Sequence, residues 1–125
     1  MSLDYTFKVE GEQLLVTTRG FDDDINEAVS YGEAIIGSCL ENKCSRILVD
    51  ESEVTSVLDH VSQYEMVQRL KSLIPYDLSI ALVASREHYQ DTSFGGMVAE
   101  NRGVNIRIFT SVETALEWLH QQQPQ

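Results

Sequence analysis

Basic residues are scarce in this chain. Nine Lys+Arg stand against twenty Asp+Glu in 125 residues, a net charge of −11. Nucleic-acid binders draw affinity from Lys and Arg neutralising phosphates, so no nucleic-acid partner is expected. An anionic membrane surface would repel the same charge. Apolar runs are short as well. None approaches the ~20 residues of a membrane helix, and no membrane insertion is expected. Cysteine is limited to Cys39 and Cys44, too few for a disulfide framework and without further Cys or His nearby for zinc. Both are read as reduced thiols. With an N-terminus (MSLDYTFKVE) that lacks the basic, apolar, small-residue order of an export signal, they imply a cytoplasmic protein. Glycine is absent between Gly37 and Gly95, which removes the Gly-rich phosphate cradle of Rossmann and P-loop sites from the middle of the chain. The three histidines (His60, His88, His120) are scattered, and no H-E-x-x-H, Cys–His or G-x-S-x-G arrangement occurs. No catalytic residue, metal or cofactor is therefore expected.

What is present is enough for one domain. At 42% hydrophobic, a chain of this length builds a single core. Tyr5–Glu10 alternates weakly and Gln13–Arg19 is rich in β-formers. The Glu10-Gly11-Glu12 turn between them predicts a hairpin. Ile25, Ala28, Val29, Gly32, Ile35, Ile36, Cys39 and Leu40 recur at helical spacing and predict a helix over residues 24–41, with acids at its start. Arg46–Asp50 and Asp77–Ala84 are short apolar runs of the kind buried on both faces of a parallel sheet, and Val104–Phe109 alternates as a further strand. Between them, Asp59 reads as the N-cap of a helix with Tyr64, Val67, Leu70 and Ile74 on its inner face, ending at Pro75. A helix from residue 91 or 92 stops before Gly103, although Gly95-Gly96 inside it calls for a close packing partner. Ser111 caps a last helix carrying Ala115, Leu116 and Leu119, and residues 121–125 read as a disordered tail. The order ββαβαβαβα gives an α/β domain over residues 1–120: a mixed sheet with an N-terminal antiparallel hairpin followed by parallel βαβ units.

The stretch VAENRGVNIRIFTSVETALEWL (residues 98–119) joins a helix, an N-R-G turn, a strand ending in Phe and a helix ending in Trp-Leu. In this, and in element order over nearly the whole chain, the sequence resembles STAS-like domains related to the SpoIIAA anti-sigma-factor antagonists. Within that group it resembles the bacterial proteins labelled SpoIIAA-like or STAS/SEC14-like. The resemblance implies a single STAS-like (SpoIIAA-like) domain used for regulation. In the antagonists, Asp-Ser-Ser-Gly opens the helix after the central strand, and a serine there is phosphorylated by an anti-sigma kinase. Here that segment is VDESEVTSVLDHVSQ (residues 49–63). Asp50 and Asp59 match the two acids, while His60, Val61 and Ser62 stand where the family has Ser-Ser-Gly. The phosphoacceptor position holds Val61, so the phosphoserine switch does not carry over.

In open α/β sheets ligands sit beyond the carboxyl ends of the strands. That edge holds the loop 51–58, the start of the following helix (Asp59, His60, Ser62) and the facing loop Ser85–Tyr89. The candidate ligand- or partner-binding residues are Asp50, Glu51, Asp59, His60, Ser62, Arg86, Tyr89 and Arg102. Asp50, Glu51 and Asp59, with Asp22-Asp23-Asp24, also offer oxygen ligands for Mg²⁺ or Ca²⁺, an arrangement similar to receiver phosphoacceptor domains. Receivers need the acidic pair after the first parallel strand and a Lys after a later one, whereas Thr110-Ser111 follows Phe109. These acids are read as solvated residues and helix caps. The function expected is a non-catalytic module binding a protein partner or a small ligand. The alternative is a SEC14-like carrier of a lipid or apolar molecule, which needs a cavity lined by Val54, Val57, Leu58, Tyr64 and Phe94. Tyr64 and Trp118 are read as core rims or as parts of a homodimer interface.

Overall fold

The computed structural model describes residues 2–122. Two strands, β1 (Leu3–Glu10) and β2 (Gln13–Phe21), pair antiparallel around Gly11, whose φ of 62° makes the tight turn. Helix α1 (Ile25–Glu41) follows, then β3 (Arg46–Ser56), α2 (His60–Leu70) with a 3-10 turn at Lys71–Leu73, β4 (Ser79–Ala84), α3 (Tyr89–Glu100), β5 (Asn105–Phe109) and α4 (Val112–Gln121). The five strands form one sheet in the order β1-β2-β3-β4-β5, and β2 through β5 all run parallel. The expected ββαβαβαβα order and mixed sheet are both present. Gln121 closes α4, and the rest of the expected tail, residues 123–125, lies outside the described residues.

Strand alternation divides the apolar side chains between two layers. Leu14, Val16, Ile47, Val49 and Ile80 face Tyr31, Ile35 and Cys39 of α1 and Ala99 of α3. Their neighbours Leu48, Ala81 and Val83 face Ala115 and Leu119 of α4 on the other side. Helices α1–α3 therefore cover one face and α4 alone covers the other. Leu14, Ile47 and Leu119 have no exposed area, and each such side chain contributes roughly 2–3 kcal/mol of burial free energy.

The caps are as the sequence predicts. Asp24 accepts hydrogen bonds from the amides of Asn26 (2.8 Å) and Glu27 (3.3 Å). Asp59 accepts from Ser62 N (2.8 Å) and Ser111 Oγ from Thr114 N (3.3 Å). The Gly95-Gly96 pair has the close partner its position calls for. A Cβ on Gly95 would lie 2.6 Å from Gln63 Oε1, and one on Gly96 2.8 Å from Ile108.

Two readings are corrected. The segment 51–56 is not a loop but the second half of β3. Beyond Glu51, where the β4 ladder stops at Glu51↔Ala84, it pairs only with β2, through Glu53↔Arg19, Val54↔Gly20 and Ser56↔Phe21. A half-free strand keeps a polar sequence, and Val54 alone anchors it in the interior. In α2 the inner face is Gln63, Met66, Val67 and Leu70, while Tyr64 is 44% exposed. A buried glutamine in a helix reads as surface until its partners are known.

Candidate functional site

Between the sheet and helices α1–α3 lies a cavity of about 180 Å³. Ile35 and Leu70 line it from the helices, and Val49, Ile80, Leu82 and Ile106 from the sheet. Its wall changes character toward the carboxyl edge of the strands, where Asp22, Tyr31, Glu51, Gln63 and Thr92 converge.

This polar end is built from a defect in the β2–β3 ladder. The ladder advances from Thr17 to Arg19 on β2 but from Asp50 to Glu53 on β3, so β3 bulges at Glu51-Ser52 opposite Thr18, a device that re-aims side chains next to functional sites. Thr18 is buried, with its hydroxyl 2.7 Å from Tyr31 Oη. Tyr31 in turn donates to Glu51 Oε2 at 2.8 Å. Because the phenol proton goes to Glu51, Thr18 must be the donor to Tyr31. The chain of donation runs from Thr18 through Tyr31 to the carboxylate. Gln63 seals the neighbouring side: its Nε2 donates to Leu58 O at 2.8 Å and its Oε1 accepts from Gly95 N at 2.8 Å.

The titration of these groups reflects the enclosure. Burial, then the charge of Asp22, pushes Glu51 up to about 7, although the Tyr31 hydrogen bond pulls the other way. Burial, followed by Glu27 and Asp23, pushes Asp22 up to about 6. Burial and the adjoining Glu51 hold the Tyr31 phenol well above its usual range, so it stays a donor.

The residues singled out in the sequence fall into separate groups. Glu51 lines the cavity and meets Asp22 there. Asp50, one step along the strand, accepts from Ser52 N (3.0 Å) and Ser52 Oγ (2.7 Å) instead. Asp59 is the α2 cap, and its hydrogen bonds to Ser62 hold its carboxyl below the usual range. His60 stacks on Phe94 (4.2 Å between centroids, 7° between planes), with Nε2 3.2 Å from Asp91 Oδ1. Arg86 is exposed in the connection after β4. Tyr89 opens α3 beside an open hollow that it shares with Met97 and Arg107. Arg102 clamps α3 to α2, donating to Gln68 Oε1 (2.9 Å), Val98 O (3.1 Å) and Tyr64 Oη (3.2 Å), with its guanidinium 4.9 Å over the Tyr64 ring. Trp118 packs beside Phe109 under Arg107. Among the described residues no group of three His, Cys, Asp or Glu is placed to hold a metal ion, and no helix is long and apolar enough to cross a membrane.

Of the five residues expected to line an apolar cavity, Val57 and Leu58 do so. Val54, Tyr64 and Phe94 do not: Phe94 is held by His60 and Tyr64 by Arg102. Tyr31, Thr18 and Gln63 were not anticipated. Tyr31 carried a signal, since it lies four residues before Ile35 on the inner stripe of α1. Thr18 carried one as well, since it continues the alternation of Leu14 and Val16 on the inner face of β2; the β3 bulge opposite it carried none, because it is a property of strand pairing.

The first turn of α2 presents Val61, 79% exposed, at the position matched to the antagonists' phosphoacceptor. Ser62 beside it has its amide tied to Asp59. Incubation with an anti-sigma kinase and ATP is expected to leave the intact mass unchanged. A stoichiometric gain of one phosphate on Ser62 would show that the match is displaced by one residue.

No family model matches the sequence, and no curated protein matches it. Solved structures do match its fold. An anti-sigma factor antagonist from Mycobacterium paratuberculosis superposes with a TM-score of 0.69 at 14% identity, covering 96% of each chain. A DUF3478-family protein with a SpoIIAA-like fold from Shewanella loihica PV-4 gives 0.55 at 12% identity over 94% of each. The anti-sigma factor antagonist SpoIIAA in its unphosphorylated form gives 0.53 at 12% identity, over 94% of this chain and 96% of that one. The architecture expected from the sequence is the one found: a SpoIIAA-like fold.

Proposed function

We propose that this SpoIIAA-like domain is a non-catalytic regulatory module that takes a small apolar ligand into the cavity beneath α1–α3. The observation that carries this reading is the cavity itself. Interiors are packed to near-crystalline density, and a void forfeits the dispersion contacts of its lining. A cavity of about 180 Å³ is above the roughly 150 Å³ that admits benzene. That size suits a molecule of about six to ten non-hydrogen atoms and is too small for a two-chain lipid, which narrows the carrier alternative to a small-molecule one.

The likeness to anti-sigma factor antagonists supports a second role for the same element. Val61 and Tyr64 put apolar surface on the outside of α2, while Met66, Val67 and Leu70 line the cavity from its inside. A ligand beneath α2 thus acts on the helix that offers a protein partner its docking face. The candidates His60 and Ser62 belong to the first turn of that helix.

Ethylbenzene tests the cavity. At about ten times its Kd a ligand of the folded state adds about 1.4 kcal/mol, which raises Tm by several degrees. Amide shifts are expected at Ile35, Val67 and Leu82, and Val67→Phe, which fills the space, is expected to abolish them. Unperturbed amides at saturating ethylbenzene would show the cavity to be closed to ligands.

A further inference from the structure

The polar end of the cavity is unbalanced in hydrogen-bonding terms. Apart from the Thr92 hydroxyl, which can donate or accept, the side-chain donors there are already engaged. Thr18 donates to Tyr31, Tyr31 to Glu51, Gln63 Nε2 to Leu58 O, and the Gly95 amide to Gln63 Oε1. The acceptors are not all engaged. Asp22 Oδ1 and Thr92 Oγ1 are buried without a hydrogen-bond partner among the described residues, and Glu51 uses only Oε2 toward Tyr31. Buried polar atoms are nearly always paired in folded proteins, so such orphans call for an explanation. With a spare oxygen on each of two carboxylates against one uncommitted hydroxyl, the site favours a ligand that donates more than it accepts.

We propose that the cavity's ligand is a small apolar amine, its ring or alkyl chain among Ile35, Leu70, Ile80 and Leu82 and its ammonium group held by Asp22, Glu51 and Thr92. An ammonium brings three donors and no acceptor, against three available acceptor groups. The charge environment agrees. Asp22 and Glu51 are flanked by Asp23 and Glu27 and by Asp50, and the whole chain carries −11. A carboxylate ligand would meet repulsion at this end and carry acceptors where acceptors are in excess. Among the described residues the one cation lining the cavity is Lys71. Helix α2 runs back from the carboxyl edge of the sheet, so Lys71, just past its end, lies away from Asp22 and Glu51. The inference rests on the cavity reading above and adds the ligand's chemical class to it.

Three probes of nearly equal size decide the matter at pH 7.5: benzylamine, ethylbenzene and benzoate, titrated by calorimetry and by amide shifts. Benzylamine is expected to bind at least ten-fold tighter than either of the others. In Glu51→Gln and in Asp22→Asn its advantage over ethylbenzene is expected to shrink by ten-fold or more. In Val67→Phe both probes are expected to lose their binding. Ethylbenzene binding as tightly as benzylamine would overturn the amine while leaving the cavity standing. Benzoate binding tightest would overturn it in favour of the Lys71 end. A benzylamine preference that survives both carboxylate variants would place the amine on the acidic surface and overturn it too. Failure of all three probes would remove the cavity reading and the amine together.

Discussion

Alanine at Gly20 is expected to cost about 3 kcal/mol or more of folding free energy. Two independent penalties combine. Gly20 has φ 109°, a conformation that L side chains rarely adopt, and a Cβ there would lie 2.1 Å from the backbone oxygen of Ser2. That oxygen is fixed from several directions. It accepts from Phe21 N at 2.9 Å, and the Ser2 and Leu3 amides donate to Glu27 Oε2 at 2.9 and 3.1 Å. No flexible side-chain end is available to yield, so the hairpin must open or the Phe21–Asp22 exit must turn. Either movement displaces Asp22 from the cavity. Denaturant titration of Gly20→Ala is expected to show a lowered midpoint with an unchanged slope. A loss under about 1 kcal/mol, within the range of an ordinary surface change, would show that the Ser2 segment moves freely and that Gly20 does not set the direction of Asp22.

The second large effect has the opposite sign. Glu51→Gln is expected to stabilise the protein at pH 8 by roughly 2–3 kcal/mol and to change little at pH 4. Glu51 is raised from 4.5 to about 7 in the folded chain. The folded state then holds its proton more tightly than the unfolded one, so the stability linked to that proton is complete below about pH 4.5. It is lost as pH rises through about 7, where Glu51 must ionise beside Asp22. Asp22, raised from 3.8 to about 6, loses its part over a lower range. Wild-type stability should therefore decline between pH 4 and 8, and the decline should be shallower in Glu51→Gln. Glutamine keeps an oxygen to accept from Tyr31, so the Thr18–Tyr31 pair is preserved. Equal stability of the two proteins at pH 8 would mean that water reaches Glu51 well enough to solvate its charge.

Much of this molecule was legible in local chemistry. The stripe on α1 fixed a helix whose start and end match the structure to a residue. The apolar runs around residues 47–49 and 80–83 are strands buried on both faces because such runs have few other stable placements. The acids at 24 and 59 are caps because a carboxylate ahead of an apolar stripe meets unpaired amides. The second half of β3 was hidden because its residues meet solvent on the side where β4 has ended. Tyr64 and Gln63 exchanged places because helical periodicity ranks residues by polarity. A glutamine whose amide answers both Leu58 O and Gly95 N is buried against that ranking.

Composition and periodicity alone determined the element order, the hairpin and the caps. These follow from interactions between residues a few positions apart. Which carboxylates share an enclosed space was decided only by the tertiary structure. Asp22 and Glu51 are separated by a helix and half a strand, and the first of two irregularities in the β2–β3 ladder, a β3 bulge at Glu51-Ser52, sets Glu51 opposite Thr18, where the Tyr31 phenol meets both. Strand register and the gap left between packed layers are collective properties of the folded chain, and no local pattern encodes them.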